Sequence, residues 1–354
     1  MQKYENGMPI YGTHMDDQRL GAVSQIKLKV GQMLQERQAM MAEHGTADPS
    51  AIWSAACGLF DYLPGMRDES FGKLRLHTHV LTSDHYLRYV LGIQRDKFRR
   101  SWEGKIKNIP EKYIIEEPEG GIGFGFGDRF ISSDIVRYQM LINALYQRGF
   151  LSLLESDQRK FVLEIGGGYG ALAHHLSNLA TNTTYVIIDI PETLLFSAPY
   201  VALHNPQKKV YIYDPSNFAD VLRSGLSAYD FVFIPNYKLD ALRTLKFDLV
   251  INQNSMGEMT ASQVQEHVDV IAEICTGEIY SYNMDRLPVN TELPSLTAAL
   301  TKKFTLTEFV SEDRLKVAVK SRLNALHKGL AAVTKNPLPK QYSYYREYFC
   351  KPIR

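Results

Sequence analysis

The second half of the chain alternates short apolar runs with helical segments, and this alternation constrains the fold more than any other feature. Strands are predicted at 161–165, 184–190, 210–213, 247–252, 278–282 and 314–319, and helices at 171–179, 192–204 and 261–274. Such alternation is typical of an α/β fold in which helices cover both faces of a mainly parallel sheet. The run YDFVFIPN at 229–236 is either an additional strand or an extended crossing segment.

The N-terminal part is predicted to be mostly helical. Apolar residues at helical spacing predict a first helix over 17–44, and Asp48 before Pro49 predicts a second that runs to residue 59. A third is predicted from Ser83 or Asp84, with an apolar side made of Tyr86, Tyr89, Val90 and Ile93. A chain of 354 residues is long for one core. We therefore predict a helical domain at 1–150, an α/β domain at 151–325 and a C-terminal tail at 326–354.

Two glycine-rich stretches raise the question of which one binds a ligand. In the first, EEPEGGIGFGFGDRF at 116–130, Phe124 and Phe126 alternate with glycine and turn chemistry follows, which predicts a hairpin or an ordered loop. Ser132 or Ser133 then caps a helix. This stretch opens no helix with its own glycines, so it lacks the geometry of a nucleotide loop. It is either a plain hairpin or a lid over a substrate.

The second stretch, FVLEIGGGYG at 161–170, has the context of a cofactor loop. An apolar strand ends near Glu164, the chain turns through Gly166, Gly168 and Gly170, and a helix follows. Glycine allows a sharp turn there and lets a ligand touch the backbone without meeting a side chain.

Two cofactors compete for this loop. Read as GxGxxA with Asp189 about twenty residues on, the loop matches the dinucleotide fingerprint. Read as ExGxGxG, it matches the first motif of methyltransferases that use S-adenosylmethionine. A carboxylate at Glu164 would repel a pyrophosphate, whereas S-adenosylmethionine carries an ammonium and a sulfonium cation. Electrostatics therefore favours S-adenosylmethionine, with Glu164 anchoring its methionine end and Asp189 accepting hydrogen bonds from the ribose hydroxyls.

Three runs, VLEIGGGYG, YVIIDIPETLL and FDLVINQNSMGEM, resemble a bacterial family of sugar O-methyltransferases, a branch of the class I methyltransferases. The resemblance covers roughly residues 110–320. It implies a Rossmann-like class I methyltransferase sheet of seven strands, mainly parallel, whose last two strands form a hairpin from 304–309 and 315–319. It also implies that the N-terminal helices cover the carboxyl edge of the sheet and close the substrate pocket.

The resemblance also assigns roles to residues outside the glycine loop. In class I enzymes the loop after the fourth strand faces the methyl group, which makes Asn254 a cofactor-binding candidate and Glu258 the candidate general base. Glu258 could instead stabilise or cap the helix that follows. Arg137 and Tyr138, in the helix after the first glycine stretch, are candidates for binding the substrate, and an ion pair between Arg137 and Asp134 is the structural alternative. Asn283, just after a strand, is a third candidate, although a turn residue at this position would look the same.

Composition excludes several other classes of function. With 40 basic and 39 acidic residues there is no overall electrostatic footprint for nucleic acid, and the basic run RDKFRR at 95–100 is interpreted as a solvated helix face. Three distant cysteines match no disulfide or zinc pattern. The N-terminus has no apolar leader and no segment reaches membrane-spanning length, so we expect a soluble cytoplasmic protein without a membrane partner.

The histidines and the tail give weaker signals. One of His174 and His175 is expected to pack and the other to face solvent. If the HTH run at 77–79 is a strand, the rings of His77 and His79 point to one face. His85 lies nearby in the sequence but is not a convincing third ligand, so no metal is predicted. The tyrosines of KNPLPKQYSYYREYF, from residue 335, could pack on their own domain or complete a neighbouring subunit's pocket in a homo-oligomer.

The function predicted first is S-adenosylmethionine-dependent O-methylation of a small polar acceptor, such as a sugar or a natural-product intermediate. N-methylation, or cyclisation or cleavage of the sulfonium in the same fold, is the alternative. An NAD-dependent oxidoreductase comes next, with Glu164 as the adverse feature, and a non-catalytic binding module also stays open.

Overall fold

The computed structural model describes residues 4–5, 8–9, 12–44, 49–82, 84–309 and 345–353. The chain divides into two compact units. Unit 1 comprises Met1–Asp48 and Ser54–Leu239, and unit 2 comprises Pro49–Trp53 and Asp240–Arg354. Within the described ranges no helix is long and apolar enough to cross a membrane.

The N-terminal part of the chain is mainly helical, as predicted. Its elements are β1 (Tyr4–Glu5), β2 (Met8–Pro9), α1 (Asp17–His44), α2 (Ala51–Cys57), α3 (His79–Thr82), α4 (Leu87–Val90) and α5 (Arg95–Ile106), with 3-10 turns at Leu63–Gly65, Asp68–Leu76 and Glu111–Tyr113. The predicted third helix is wrong in part. It ends after one turn because Gly92 adopts φ +65°, so helical periodicity does not continue and only Tyr89 of its predicted apolar side is buried.

The first glycine stretch forms the predicted hairpin. Strands β3 (Phe124–Phe126) and β4 (Arg129–Ile131) pair antiparallel around Gly127, which has φ +64°. A Cβ on Gly123 would lie 2.7 Å from the backbone of Ile131, so glycine is needed for close packing. Helices α6 (Ser133–Gln147) and α7 (Phe150–Leu154) follow, and Ser132 caps α6 by accepting a hydrogen bond from the Ile135 amide at 3.1 Å.

The rest of unit 1 is a parallel α/β layer. Its elements are β5 (Lys160–Ile165), α8 (Ala171–Leu179), β6 (Thr183–Asp189), α9 (Pro191–His204), β7 (Val210–Ile212), α10 (Phe218–Ser224) and β8 (Phe231–Pro235), with 3-10 turns at Leu226–Ala228 and Asn236–Thr244. The strands lie in the order β5-β6-β8-β7, and each pair is parallel. The YDFVFIPN run is therefore a strand, and it lies between β6 and β7.

Helix α1 packs against α9 and covers the carboxyl ends of β7 and β8. Glu36 of α1 accepts hydrogen bonds at 3.0 Å from the hydroxyls of Tyr213 and Tyr237, which follow those two strands. Arg37 donates at 2.8 Å to Glu192, at the start of α9. The N-terminal helix thus covers the carboxyl edge of unit 1, as the resemblance implies.

Unit 2 holds four more strands. Its elements are β9 (Phe247–Gln253), a 3-10 turn at Met256–Glu258, α11 (Ala261–Ile274), β10 (Cys275–Met284), α12 (Leu296–Leu300), β11 (Phe304–Glu308) and β12 (Tyr345–Pro352). β9 and β10 are parallel, and β12 pairs antiparallel with both β10 and β11. The predicted strand at 314–319 lies outside the described residues. The strand between β10 and β11 comes instead from the predicted tail.

These elements confirm the α/β fold class with a mainly parallel arrangement and a helical N-terminal region. Within the described residues, β5–β8 of unit 1 and β9–β12 of unit 2 make eight strands, one more than the seven implied by the resemblance. The two inner strands of unit 1, β6 and β8, are almost wholly buried, which explains why they appear in the sequence as continuous apolar runs.

Candidate functional site

The loop between β5 and α8 is built from glycines in the left-handed region. Gly166, Gly168 and Gly170 have φ of +76°, +56° and +87°, a conformation that other residues rarely adopt. The Gly166 amide donates to the Ile188 carbonyl at 2.9 Å, and the Gly170 amide to the Gly167 carbonyl at 2.9 Å. The loop is therefore a tight, hydrogen-bonded turn at the carboxyl end of β5.

The glycines of this loop have different tasks. A Cβ on Gly170 would lie 2.8 Å from the Ser197 carbonyl oxygen of α9, and a Cβ on Gly167 would lie 2.7 Å from Ile187. These two positions need glycine for packing. A Cβ on Gly168 would meet no heavy atom within 4 Å. Gly168 is thus a position in this loop where a ligand has room to approach the backbone.

Asp189 ends β6 and holds the glycine loop. Its carboxylate accepts hydrogen bonds from the amides of Ile190, at 2.8 Å, and of Gly167 and Gly168. Burial raises the pKa of Asp189 to about 6, although these hydrogen bonds and Thr193 stabilise the charged form. Asp189 is partly exposed.

Glu164 is buried within β5 and accepts a hydrogen bond from the Tyr185 hydroxyl at 2.9 Å. Burial raises its pKa to about 8, the Tyr185 hydroxyl opposes that change, and the negative charge of Asp189 adds to it. Near neutral pH this carboxyl is therefore mostly protonated in the ligand-free protein. A cation placed beside it would lower this pKa, and a phosphate would raise it further.

Sequence reasoning missed a buried polar cluster that reaches the glycine loop. The Arg75 guanidinium donates to Glu117 at 3.0 Å and to Asp134 at 2.9 Å, and it lies 4.6 Å from the centre of the Tyr169 ring. Burial is the largest single influence and opposes the charge of Arg75, but the negative charges around it, led by Glu117, together outweigh burial and raise the pKa of Arg75. The cation thus lies on the one aromatic residue of the glycine loop and fixes its position.

The first glycine stretch contributes to this cluster. A Cβ on Gly121 would lie 2.4 Å from Oε2 of Glu117, so glycine is required for the carboxyl group to fit. The sequence signal for the cluster was the EEPEGG run itself, in which an acidic residue precedes two glycines. That run supplies packing around a carboxylate rather than a nucleotide loop.

Arg137 and Tyr138, both substrate-binding candidates, lie beside the same cluster. Arg137 contacts the Asp134 carboxylate, which is the ion pair weighed as the alternative for this residue. Its guanidinium lies 5.9 Å from the centre of the Tyr138 ring, and that ring lies 6.3 Å from the Tyr169 ring. Unit 1 thus brings Arg137 and Tyr138 close to the glycine loop.

In unit 2 the candidate residues follow β9. Asn254 has φ +56°, and its amide donates to the Tyr282 carbonyl at 2.9 Å, which fixes the backbone. The buried Oδ1 of Asn254 and the buried Nε2 of Gln253 have no hydrogen-bond partner among the described residues. Unpaired buried polar atoms are costly, so these two amides are suited to a polar ligand or water. Gln253 was missed because a glutamine at a strand end carries no distinctive sequence signal.

Glu258 lies in the 3-10 turn after β9, two residues before Thr260, which is the N-cap of α11. Thr260 caps that helix by accepting from the Gln263 amide at 3.2 Å, and Gln263 completes a capping box. The loop that carries Glu258 is held by Asn290, whose side chain donates to the carbonyls of Gly257 at 3.0 Å and Met259 at 2.8 Å.

Asn283 supports the same loop from β10. Its Oδ1 accepts from the Ser255 amide at 3.1 Å, and its Nδ2 donates to Oδ1 of Asn252 at 2.8 Å. The side chain is buried, so the structure gives Asn283 a part in positioning the loop.

The histidine predictions need correction. His174 and His175 are both buried, rather than one facing solvent, because α8 is covered by α9. The HTH run is not a strand, since it joins a 3-10 turn to α3. The rings of His79 and His85 lie 5.0 Å apart, but no group of three or more metal-ligating side chains occurs in the described part of the chain.

Comparisons with known proteins give distant structural similarity alone. No protein-family model and no curated protein matches the chain. The structure is similar to a ribosomal protein L11 methylase from Lactobacillus delbrueckii subsp. bulgaricus, at 14% identity and a TM-score of 0.32, covering 59% of this chain and 80% of that one. It is also similar to the N-methyltransferase NodS from Bradyrhizobium japonicum in complex with S-adenosyl-L-homocysteine, at 14% identity and a TM-score of 0.30, covering 47% and 79%.

A third similar structure is an O-methyltransferase family protein from Burkholderia thailandensis, at 12% identity and a TM-score of 0.30, covering 62% of this chain and 60% of that one. Similarity at this level carries no argument about activity. The function of this chain therefore has to be argued from its own residues.

Proposed function

We propose that this protein is an S-adenosylmethionine-dependent methyltransferase that methylates a hydroxyl of a small polar acceptor, such as a sugar or a natural-product intermediate. One observation carries the proposal. At the carboxyl ends of β5 and β6, a glycine loop with open space at Gly168 is accompanied by the carboxyl groups of Glu164 and Asp189. Ligands of parallel α/β sheets bind at this edge.

The residues of unit 1 suit S-adenosylmethionine better than a dinucleotide. Burial raises the pKa of Glu164 and so disfavours its charged form. A bound ammonium or sulfonium group would stabilise the carboxylate and offset this cost. A pyrophosphate would instead keep Glu164 protonated and gain nothing from it. Asp189 would accept hydrogen bonds from ribose hydroxyls, and Gly166, Gly168 and Gly170 would provide the turn that admits the ligand.

The acceptor side of the proposal rests on the loop after β9. When bound, S-adenosylmethionine supplies a methyl carbon that is already activated by a sulfonium. The chain must then orient the acceptor and remove its proton. We assign proton removal to Glu258, since Thr260 rather than Glu258 caps the next helix. Asn254 offers an unpaired Oδ1 to the cofactor, and Arg137 and Tyr138 are assigned to the acceptor. Asn283, first a candidate for binding the acceptor, is assigned to holding this loop through the Ser255 amide.

We propose a matching division of roles along the chain, in which residues 1–150 cover the acceptor and residues 151–325 bind the cofactor. The segment predicted as a C-terminal tail, 326–354, contributes β12, which pairs with β10 and β11.

Calorimetric titration with S-adenosylhomocysteine and with NAD separates the two cofactor classes. S-adenosylhomocysteine should bind more tightly as pH rises from 6.5 towards 8, by at most about tenfold per pH unit, because Glu164 must release its proton to meet the ligand ammonium. Glu164→Gln should remove this dependence. The matched control is Tyr185→Phe, which keeps the carboxyl group and loses the hydroxyl that donates to it, so the pH dependence should persist and move to higher pH.

Mass spectrometry of freshly purified, denatured protein gives an independent check. Retained S-adenosylmethionine or S-adenosylhomocysteine supports the proposal. Retained NAD, or NAD binding that outcompetes S-adenosylhomocysteine, would overturn it.

A further inference from the structure

The turn between α4 and α5 exposes a concentrated set of large aliphatic side chains. Leu87, Val90, Leu91 and Ile93 are 45%, 52%, 68% and 47% exposed. We call these four residues the apolar turn. Of the ten large hydrophobic side chains that are exposed in the described residues, four fall within these seven positions. Single exposed apolar residues are ordinary on protein surfaces, whereas a cluster of them marks an interaction site.

The apolar turn is held in place from below. The Tyr89 hydroxyl donates to the Asp84 carboxylate, 2.7 Å from each of its oxygens, and accepts from the Ser133 amide at 2.7 Å. Phe98 of α5 is buried 6.5 Å from the Tyr89 ring. These anchors fix both ends of the turn, so the aliphatic side chains stay outside while their neighbours pack inward.

Two residues of the segment between α4 and α5 have a left-handed backbone conformation. Gly92 and Gln94 have φ of +65° and +60°, and the left-handed conformation is uncommon for a residue such as glutamine. The two left-handed residues separate α4 from α5, and Leu91 and Ile93 lie between the two helices.

Basic residues are concentrated in the same segment of the sequence as the apolar turn. Residues 87–107 contain seven Lys and Arg and two Asp and Glu, in a chain whose formal net charge is +1. The rest of the chain is therefore net acidic. Lys97, Arg99 and Arg100 are exposed on α5, directly after the turn. Apolar side chains beside exposed basic ones are the pattern of proteins that lie on anionic membranes.

We propose that the apolar turn and the face of α5 that carries Lys97 and Arg100 form a docking surface for an anionic phospholipid bilayer. Lys97 and Arg100 lie one turn apart and so share a side of the helix, whereas Arg99 pairs with Glu103. The four aliphatic side chains enter the boundary between headgroups and acyl chains, and Lys97 and Arg100 face the lipid phosphates. A second copy of this chain is a poorer partner, because two such basic faces would repel each other. Nucleic acid would pair with the cations but leave the aliphatic side chains without a counterpart.

Vesicle co-sedimentation tests the proposal with the full chain. We expect binding to vesicles that contain phosphatidylglycerol, little binding to vesicles of phosphatidylcholine alone, and a fall in binding as salt rises. The double variant Leu91→Asp with Ile93→Asp should reduce binding at least tenfold, and so should Lys97→Glu with Arg100→Glu. S-adenosylhomocysteine affinity should be unchanged in both, since neither pair belongs to the cofactor site.

Matched controls exist elsewhere in unit 1. Leu153→Asp changes a leucine of α7 that is 41% exposed, and Arg223→Glu changes an arginine of α10 whose side chain is 77% exposed. Both should keep full vesicle binding. The proposal fails if the protein does not bind anionic vesicles, or if the Leu91 and Ile93 variant binds them normally. Two further outcomes would overturn it. In the first, the Leu91 and Ile93 substitutions abolish self-association of the protein and leave vesicle binding unchanged. In the second, the Lys97 and Arg100 substitutions abolish binding to an oligonucleotide, and only that variant loses vesicle binding.

Discussion

At the scale of single residues, the glycine loop shows that one motif contains positions with different physical tasks. Gly170 is required by the packing of α8 against α9, and Gly168 is left with open space. Sequence alone could not separate them, because both adopt positive φ and both fit the same ExGxGxG pattern. The distinction depends on which neighbours the fold brings to each Cα.

Substituting the two glycines with alanine should separate binding from stability. Gly168→Ala places a Cβ in the open space, so we expect at least a tenfold loss of S-adenosylhomocysteine affinity and a loss of about 1 kcal/mol of unfolding free energy from the left-handed backbone. Gly170→Ala adds a clash with the Ser197 carbonyl and should cost about 1–3 kcal/mol more. Calorimetry and urea unfolding of both variants measure this difference. Equal affinity for the ligand in wild type and Gly168→Ala would contradict the assignment.

The raised pKa of Asp189 predicts a second pH dependence, separate from that of Glu164. Ribose hydroxyls donate to the charged carboxylate, so S-adenosylhomocysteine affinity should weaken as pH falls below about 6, where Asp189 takes up its proton. Asp189→Asn should remove this acid limb and lower affinity at pH 7.5. Isothermal titration between pH 5 and 8 is the measurement. An acid limb that survives in Asp189→Asn would assign the titration to another group.

Glu258→Gln tests the base. The change keeps the shape of the side chain and removes its basicity, so methyl transfer to a hydroxyl acceptor should fall by about 10²- to 10⁴-fold. Cofactor affinity should stay within about twofold. The rate is measured as methylated product by mass spectrometry. Asn290→Asp changes the residue that holds this loop and leaves Glu258 in place, so it serves as the control for a change in loop position alone. A rate near that of wild type would favour an amine acceptor or sulfonium chemistry that needs no base.

At the scale of elements, the local sequence pattern was sufficient to predict where some helices begin and end, but not which distant segments pair with one another. The bounds of α8 and α11 were predicted to the residue, since each has a clear start signal and a sustained apolar face. The position of β8 between β6 and β7 was not, because an apolar run carries no information about its neighbours. Val90 and Ile93 were predicted to lie on the apolar side of one helix and are exposed, because a left-handed glycine at position 92 ends the helical period.

The strand formed by the predicted tail makes a direct stability prediction. Phe349 of β12 is buried and packs against Tyr280 of β10, with ring centres 5.4 Å apart. Phe349→Ala should lower the unfolding free energy by about 3–5 kcal/mol, the usual cost of emptying an aromatic core position. Lys351→Ala in the same strand breaks only an ion pair with Glu278 whose lysine is exposed, and should cost no more than about 1 kcal/mol. Thermal or urea unfolding compares the two.

At the scale of the whole molecule, buried ionisable groups make stability depend on pH in opposite directions. The carboxyls of Glu164 and Asp189 have raised pKa values, so the folded state holds their protons more tightly and gains stability as pH falls through those values. His174 acts the other way. Burial lowers its pKa to about 4, so the unfolded chain binds its proton first.

The His174 contribution can be isolated by substitution. As pH falls from about 6.5 towards 4, the folded state should lose about 3 kcal/mol through this residue. His174→Gln should remove that part of the loss, even if it destabilises the protein at neutral pH. Urea unfolding at pH 7 and pH 4.5 measures the difference, with the exposed His14→Gln as control. Equal pH slopes in wild type and His174→Gln would show that this histidine is not kept neutral by the fold.

The position of β12 late in the chain determines when unit 2 can complete its strand pairing during synthesis. Strand β11 pairs only with β12 among the described residues, and one edge of β10 is covered by β12 as well. A nascent chain that has emerged as far as residue 309 therefore displays an unpaired edge of β10 and a β11 without a partner until residues 345–352 leave the ribosome. Open strand edges recruit other chains, so ribosomal stalling or premature termination in this interval should yield aggregates rather than a shortened but folded protein.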